Sequence, residues 1–83
     1  MASANRTAFI SGSARNIGRA IALRLARDGF NIIVNGSRDR DACEHVAAEV
    51  ESIGVAAMVV MGDVGKSADV RAMAGEALER FGR

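Results

Sequence analysis

Thr7-Ala8-Phe9-Ile10-Ser11-Gly12-Ser13-Ala14-Arg15-Asn16-Ile17-Gly18 is the stretch that decides the fold. Thr7 to Ser11 is a short apolar run that stops at Gly12, which suits a buried strand. From about Asn16 to Asp28 the period changes, and Ile17, Ile21 and Leu25 recur at helical spacing with Gly18, Ala22 and Gly29 beside them. Arg19, Arg24, Arg27 and Asp28 fall elsewhere on the helix, so it carries a face of small residues. Leu23 lies off the apolar stripe and is expected to meet a neighbouring helix.

The alternation continues. Gly29 can close the first helix, and Asn31, Ile32, Ile33, Val34 and Asn35 supply a second, β-branched run. Ser37 or Asp39 caps a second helix in which Cys43, Val46, Ala47, Val50 and Ile53 share a stripe opposite Glu44, Glu49 and Ser52. Gly54 ends it, and Val55 to Met61 form a third run, apolar throughout as in strands covered on both faces. Ser67 caps a third helix with Val70, Met73, Ala74, Ala77 and Phe81 on one side and Gly82 at its end. The order βαβαβα predicts an α/β fold with right-handed crossovers and a parallel sheet between helical layers.

Composition narrows the function. With 83 residues, 49% hydrophobic and 25% charged, the chain can build one small globular core. Eleven basic residues against ten acidic ones give a net charge of +1, with no clustered basic stripe and no Tyr or Trp to stack bases, so nucleic acid is not an expected partner. No run approaches the ~18 apolar residues of a membrane span, and Met1 to Arg6 is a short polar tail without a signal peptide's apolar stretch. One cysteine, Cys43, excludes an internal disulfide and suits a reducing cytoplasm.

In a parallel α/β sheet, ligands bind beyond the carboxyl ends of the strands, here the loops after Ser11, Asn35 and Met61. In the first loop, Gly12 permits a tight turn and close approach of a phosphate to the backbone. The helix start behind it presents free N–H groups and a positive dipole end, and Gly18 lets the helix pack near the sheet. These are the parts of a diphosphate cradle.

On those residues the chain resembles the short-chain dehydrogenase/reductase family, whose signature is Thr-Gly-x-x-x-Gly-x-Gly. Ser11 stands in the Thr position, Gly12 and Gly18 match, and Ile17 is a usual filler. Asn16 departs, standing where the family has its middle Gly; Asn tolerates left-handed backbone better than most residues. The resemblance runs on through Gly29, the Asn35 region, Asp63-Val64 and Phe81-Gly82, nearly all of the chain after Arg6. It implies a Rossmann-type fold ending before the fourth strand, within one dinucleotide-binding domain over residues 1–83, and hydride transfer between a nicotinamide cofactor and a carbonyl or alcohol substrate. It also implies Gly12, Ser13, Arg15, Asn16, Ile17 and Gly18 as the diphosphate loop, Asp63 and Val64 as residues bordering the adenine ring, and a homo-oligomeric parent protein.

The second loop bears on the cofactor. NAD sites place an Asp or Glu at the end of the second strand, about twenty residues beyond the glycine loop, to bind the ribose 2′-hydroxyl. That position falls near Asn35 or Gly36, and neither is acidic. Gly36, Ser37 and Arg38, with Arg15 from the first loop, suit the 2′-phosphate of NADP rather than NAD. The plain alternative for Arg38 is the solvated start of a helix, where Arg40 also sits.

Other motifs are read blandly. Gly65-Lys66-Ser67 looks like the end of a P-loop, but the required earlier Gly is Val60, with Gly62 misplaced. Asp63 is equally a turn aspartate by spacing, Cys43 a small core hydrophobe, and His45 a lone exposed side chain; no metal site is expected. The family's catalytic Ser, Tyr and Lys have no counterpart: there is no Tyr, and Lys66 is the one Lys. The chain by itself is therefore expected to bind but not turn over, a free-standing nucleotide-binding module being the alternative. In the family's strand order a fourth strand pairs with the free side of the first, so residues 1–83 alone would expose an edge carrying Phe9 and Ile10.

Overall fold

The computed structural model describes residues 6–12 and 16–81. Its elements are β1 (Thr7–Ile10), α1 (Asn16–Arg27), β2 (Asn31–Gly36), α2 (Arg40–Ile53), β3 (Ala57–Met61) and α3 (Ser67–Phe81). The expected βαβαβα order is present, with each strand parallel to its neighbour in the order β1-β2-β3. Register runs across the sheet through Phe9, Ile33 and Met58, so the three lie side by side on one face.

Period-two alternation sorts the strands between two layers. Ile32 and Val34 of β2 face one way, with Ile10 of β1 and Ala57 of β3, into a core shared with Ala22 and Ala26 of α1 and Val46 and Val50 of α2. Ile33 and Val60 face the other way and pack under Met73 and Ala77 of α3. β2 is the central strand among those described, and Asn31 to Asn35 are all buried. A continuous β-branched run fits that place because neither face of the strand meets water.

α1 shows which of its rows the sheet selects. Residues 17, 21 and 25, then 18, 22 and 26, then 19 and 23, form successive i, i+4 rows about 100° apart on a helix of 3.6 residues per turn. The middle row packs on the sheet through Ala22 and Ala26, at 0% and 2% exposure, because its small side chains let backbone and strands approach closely. The third row meets α2 through Arg19, which pairs with Glu49 through two of its guanidinium nitrogens, and Leu23 is half-buried against the core. Of the first row, Leu25 is half-buried against the core as its periodicity predicts, whereas Ile17 and Ile21 lie on the flank away from α2 at 76% and 45% exposure.

Helix ends follow local chemistry. At the end of α1 the Phe30 N–H donates to Leu25 O and the Gly29 N–H to Ala26 O, both at 3.0 Å, with Gly29 at φ +95°. This is a Schellman closure, which needs the left-handed residue that Gly supplies. Between Ser37 and Asp39, the structure selects Asp39, whose Oδ1 accepts from the Ala42 N–H at 3.0 Å; Gly54 closes α2 at φ +116°. Ser67, expected as a cap, is instead the first residue of α3. The first helical bond runs from Val70 N–H to Lys66 O, and Asp69 Oδ2 reaches back to accept from the Asp63 N–H. Of the expected α3 stripe, Val70 and Ala74 are exposed and Met73 and Ala77 are buried, and the side chain of Phe81 is not among those described. Gly82 lies outside the described residues. No described helix is long and apolar enough to cross a membrane.

The α1–α2 ion pair makes acid stability testable. The Arg19 guanidinium holds the Glu49 carboxyl below its ordinary value. With the folded value depressed, the unfolded chain binds more protons at low pH, so this contribution is present above the unfolded carboxylate value of about 4.3 and is lost as pH falls through the folded one. Glu49→Gln is expected to flatten the acid limb of a Tm-versus-pH curve, and high salt should shrink the difference because the pair is solvent-exposed.

Candidate functional site at the ends of the first two strands

The chain leaves β1 through Ser11 and Gly12 and enters α1 at Asn16, and it leaves β2 through Gly36 into the turn Ser37–Asp39. Parallel pairing of β1 with β2 sets those two exits side by side. Gly12, Asn16, Gly36, Ser37, Arg38, Asp39 and Cys43 line one cleft of about 350 Å³ there. Five residues singled out from sequence, from two separate loops, thus share one concave surface.

Each has a physical reason to be what it is. Gly12 sits at φ +61°, and a Cβ placed on it would meet no described atom within 4 Å. Asn16 takes φ +51°, the left-handed conformation that a glycine would otherwise supply. Gly36 has ordinary extended backbone and is glycine for another reason: a Cβ there would lie 2.4 Å from Cys43 Sγ. Arg38 is exposed and makes no ion pair with another described residue, whereas Arg40 is engaged with Glu44 at 3.3 Å one turn along α2. The Asp39 carboxylate is committed to the α2 cap.

Other expected residues lie apart from this cleft. Ile17 and Gly18 belong to the first turn of α1, outside its lining, and Ser13 and Arg15 lie outside the described residues. Asp63 and Val64 follow β3, and the Asp63 Oδ1 accepts from the Gly65 N–H at 2.8 Å, the turn role that spacing alone allowed. Val60 is buried in β3, and a Cβ at Gly62 would lie 3.0 Å from Met73 Sδ, a tight fit under α3.

Two residues matter more than their sequence suggested. Asn35 is 3% exposed, and its side-chain amide donates to Val60 O at 3.1 Å and Gly62 O at 3.2 Å. It ties the β3–α3 loop to the end of β2, so it is a brace between loops rather than a residue open to the cleft. Asn35→Ala removes a buried donor and leaves those carbonyls short of a partner; a loss of about 1–3 kcal/mol is expected in chemical denaturation. Cys43 is fully buried as expected, yet it borders the cleft beside Gly36. Burial, and then the Asp39 carboxylate, push its thiol up from the ordinary value, which keeps it neutral and unreactive. Its signal was positional: an inward residue in the first turn of a helix lies against the strand end that precedes it.

A parallel sheet with a glycine turn between β1 and α1, and a ligand-sized cleft at the carboxyl ends of β1 and β2, defines the front portion of a Rossmann-type nucleotide-binding fold. The comparisons carry this further. The family model for short chain dehydrogenases matches residues 6–83, and the chain belongs to that family. It is 37% identical over 78 residues to the 3-oxoacyl-acyl-carrier-protein reductase FabG of Staphylococcus epidermidis, covering 94% of this chain and 32% of that protein. It is 38% identical over 79 residues to the tetrahydroxynaphthalene reductase PfmaG of Pestalotiopsis fici, covering 95% of this chain and 28% of that protein. Among solved structures, a short-chain dehydrogenase/reductase from Burkholderia xenovorans superposes with a TM-score of 0.90 at 34% identity. The reductase LugOII, described as catalysing keto-reduction in lugdunomycin biosynthesis, does so with 0.83 at 31%. Each covers all of this chain and 34% of the other, so the chain spans about a third of the proteins it matches.

Proposed function

We propose that these residues form the cofactor-binding part of an NADP(H)-dependent oxidoreductase that reduces a carbonyl or oxidises an alcohol. The observation that carries the reading is the shared cleft: Gly12 and left-handed Asn16 from one loop line it with an uncharged Gly36 and with Arg38, which has no ion pair among the described residues. The residues fit an adenine dinucleotide phosphate. Gly12 and the start of α1 suit the diphosphate, and Gly36, Ser37 and Arg38 suit a phosphorylated ribose, where a carboxylate at position 36 would repel it. Ser13, Arg15, Ile17, Gly18, Asp63 and Val64 complete the assignment by family resemblance. When bound, the nicotinamide supplies or accepts the hydride; this chain's residues hold and orient the dinucleotide.

The named relatives are reductases, which supports carbonyl reduction as the chemistry of the whole protein. In this reading residues 1–83 are part of one dinucleotide-binding domain with a polar tail at 1–6, in a homo-oligomeric protein of the cytoplasm, where a buried unpaired Cys43 is at home. A carbonyl or alcohol is its substrate, and neither nucleic acid nor membrane its partner. The test is titration of the protein, as its gene encodes it, with NADPH and NADH followed by intrinsic ligand fluorescence. NADPH is expected to bind more tightly; failure of both to bind would overturn the assignment.

A further inference from the structure

We propose that Cys43 is a positioning residue for cofactor selection: its side chain fills the space that a Cβ at position 36 needs. It thereby holds the end of β2 to glycine and keeps a carboxylate away from the ribose. The proposal rests on the dinucleotide reading of the cleft and adds a residue to it.

Glycine at position 36 is not required by backbone shape. Positive φ occurs at Gly12, Gly29 and Gly54 among the described glycines, and Gly36 is extended strand that any residue adopts. Space is what excludes a side chain. A Cβ at position 36 would lie 2.4 Å from Cys43 Sγ, far inside contact distance, and the next nearest atom is Met61 Cε at an ordinary 3.9 Å. The obstacle is thus one sulfur atom. Truncation of Cys43 at Cβ removes it and leaves no other described atom closer than Met61 Cε.

Rotation does not readily relieve the contact. Cysteine has one side-chain torsion, and on a helix the +60° rotamer runs into the preceding turn. Cys43 is also 0% exposed, so its remaining alternative must find room in a packed core beside Val46 and Ala47. Position 36 is in turn the one residue at the end of β2 that can read the ribose. Asn35, the other candidate, points its amide at Val60 O and Gly62 O, whereas Gly36 lines the cleft with Ser37 and Arg38. A carboxylate introduced at 36 would face the 2′ position of a bound dinucleotide. The neutral thiol on α2 therefore decides, through sterics alone, that the pocket stays without an acid.

The test compares substitutions at 36 in two backgrounds of the protein as its gene encodes it, the unaltered one and Cys43→Ala. Thermal melts are read for Gly36→Ala in each. Gly36→Ala is expected to lower Tm by several degrees with Cys43 present and to have little effect in the Cys43→Ala background. Equal effects in the two backgrounds would overturn the steric claim without reference to any cofactor. Dissociation constants for NADPH and NADH are then read for Gly36→Asp in the Cys43→Ala background. A shift of the NADPH-to-NADH preference by about tenfold or more toward NADH is expected. Rescued stability with an unmoved preference would overturn the ribose reading of position 36, and with it the selective role of Cys43.

Discussion

Arg38→Ala is expected to weaken NADPH binding by about 10- to 100-fold while leaving NADH affinity within about twofold, because a guanidinium on a phosphate forms charge-assisted bonds worth ~1.5–3 kcal/mol. The expectation rests on where Arg38 sits and what it lacks. It lines the cleft beside Gly36 and Ser37, is exposed, and has no ionic partner among the described residues. Arg40, two residues on, pairs with Glu44 along α2 and serves as the internal control, since Arg40→Ala should leave both affinities nearly unchanged. Salt separates the two roles further. A dianionic phosphate held by an exposed cation is screened within a Debye length of about 8–10 Å, so the NADPH advantage should shrink between low and high ionic strength. Parallel titrations of both cofactors at two salt concentrations check this. Tighter NADH binding, or no loss with Arg38→Ala, would return Arg38 to the solvated start of a helix.

Much of this was legible in one dimension because the signals were redundant. The β2 run is β-branched over Ile32, Ile33 and Val34, sits between Gly29 and the Asp39 cap, and is buried on both faces, so period, punctuation and propensity agree. The site's location followed from the fold, since two loops at the ends of adjacent parallel strands must converge. What was not legible has particular causes. In α1 two neighbouring rows are apolar or small, Ile17–Ile21–Leu25 and Gly18–Ala22–Ala26, and only the tertiary positions of the sheet and of α2 choose between them; Ala22 and Ala26 went to the sheet and Ile17 stayed out. A glycine in a string of letters does not say whether it supplies a left-handed turn, as at Gly12, or space for a neighbour, as at Gly36 and Gly62. The neighbours in question, Cys43 and Met73, lie 7 and 11 residues downstream on other elements and looked like plain core residues.

Residues 1–83 expressed alone are expected to be poorly stable and to self-associate, and the structure shows where. Among the described strands β1 pairs only with β2, which leaves its other edge with free backbone donors and acceptors. Ile10 does not join that exposed surface as sequence reasoning had it, being buried against α1; the apolar residues left outside are Phe9 of β1 at 44% and Ile17 and Ile21 of α1. Because α1 gives its Arg19–Leu23 row to α2, the Ile17–Ile21 row lies on the opposite flank. A free edge and an exposed apolar row together make a template for pairing with a second copy. Nor is there much stability to spare: at about 0.05–0.15 kcal/mol per residue a domain of this size has only a few kcal/mol in hand. Among the α3 residues whose burial is described, Met73 and Ala77 are the ones buried, against Ile33 and Val60. Size-exclusion chromatography should show a concentration-dependent shift to larger species, and thermal melts a broad, low transition. Phe9→Thr combined with Ile17→Gln and Ile21→Gln should move the chain toward monomer without disturbing the sheet-facing Ala22–Ala26 row. A monomer of unaltered sequence with a sharp transition well above ~60 °C would overturn this expectation and favour a free-standing nucleotide-binding module.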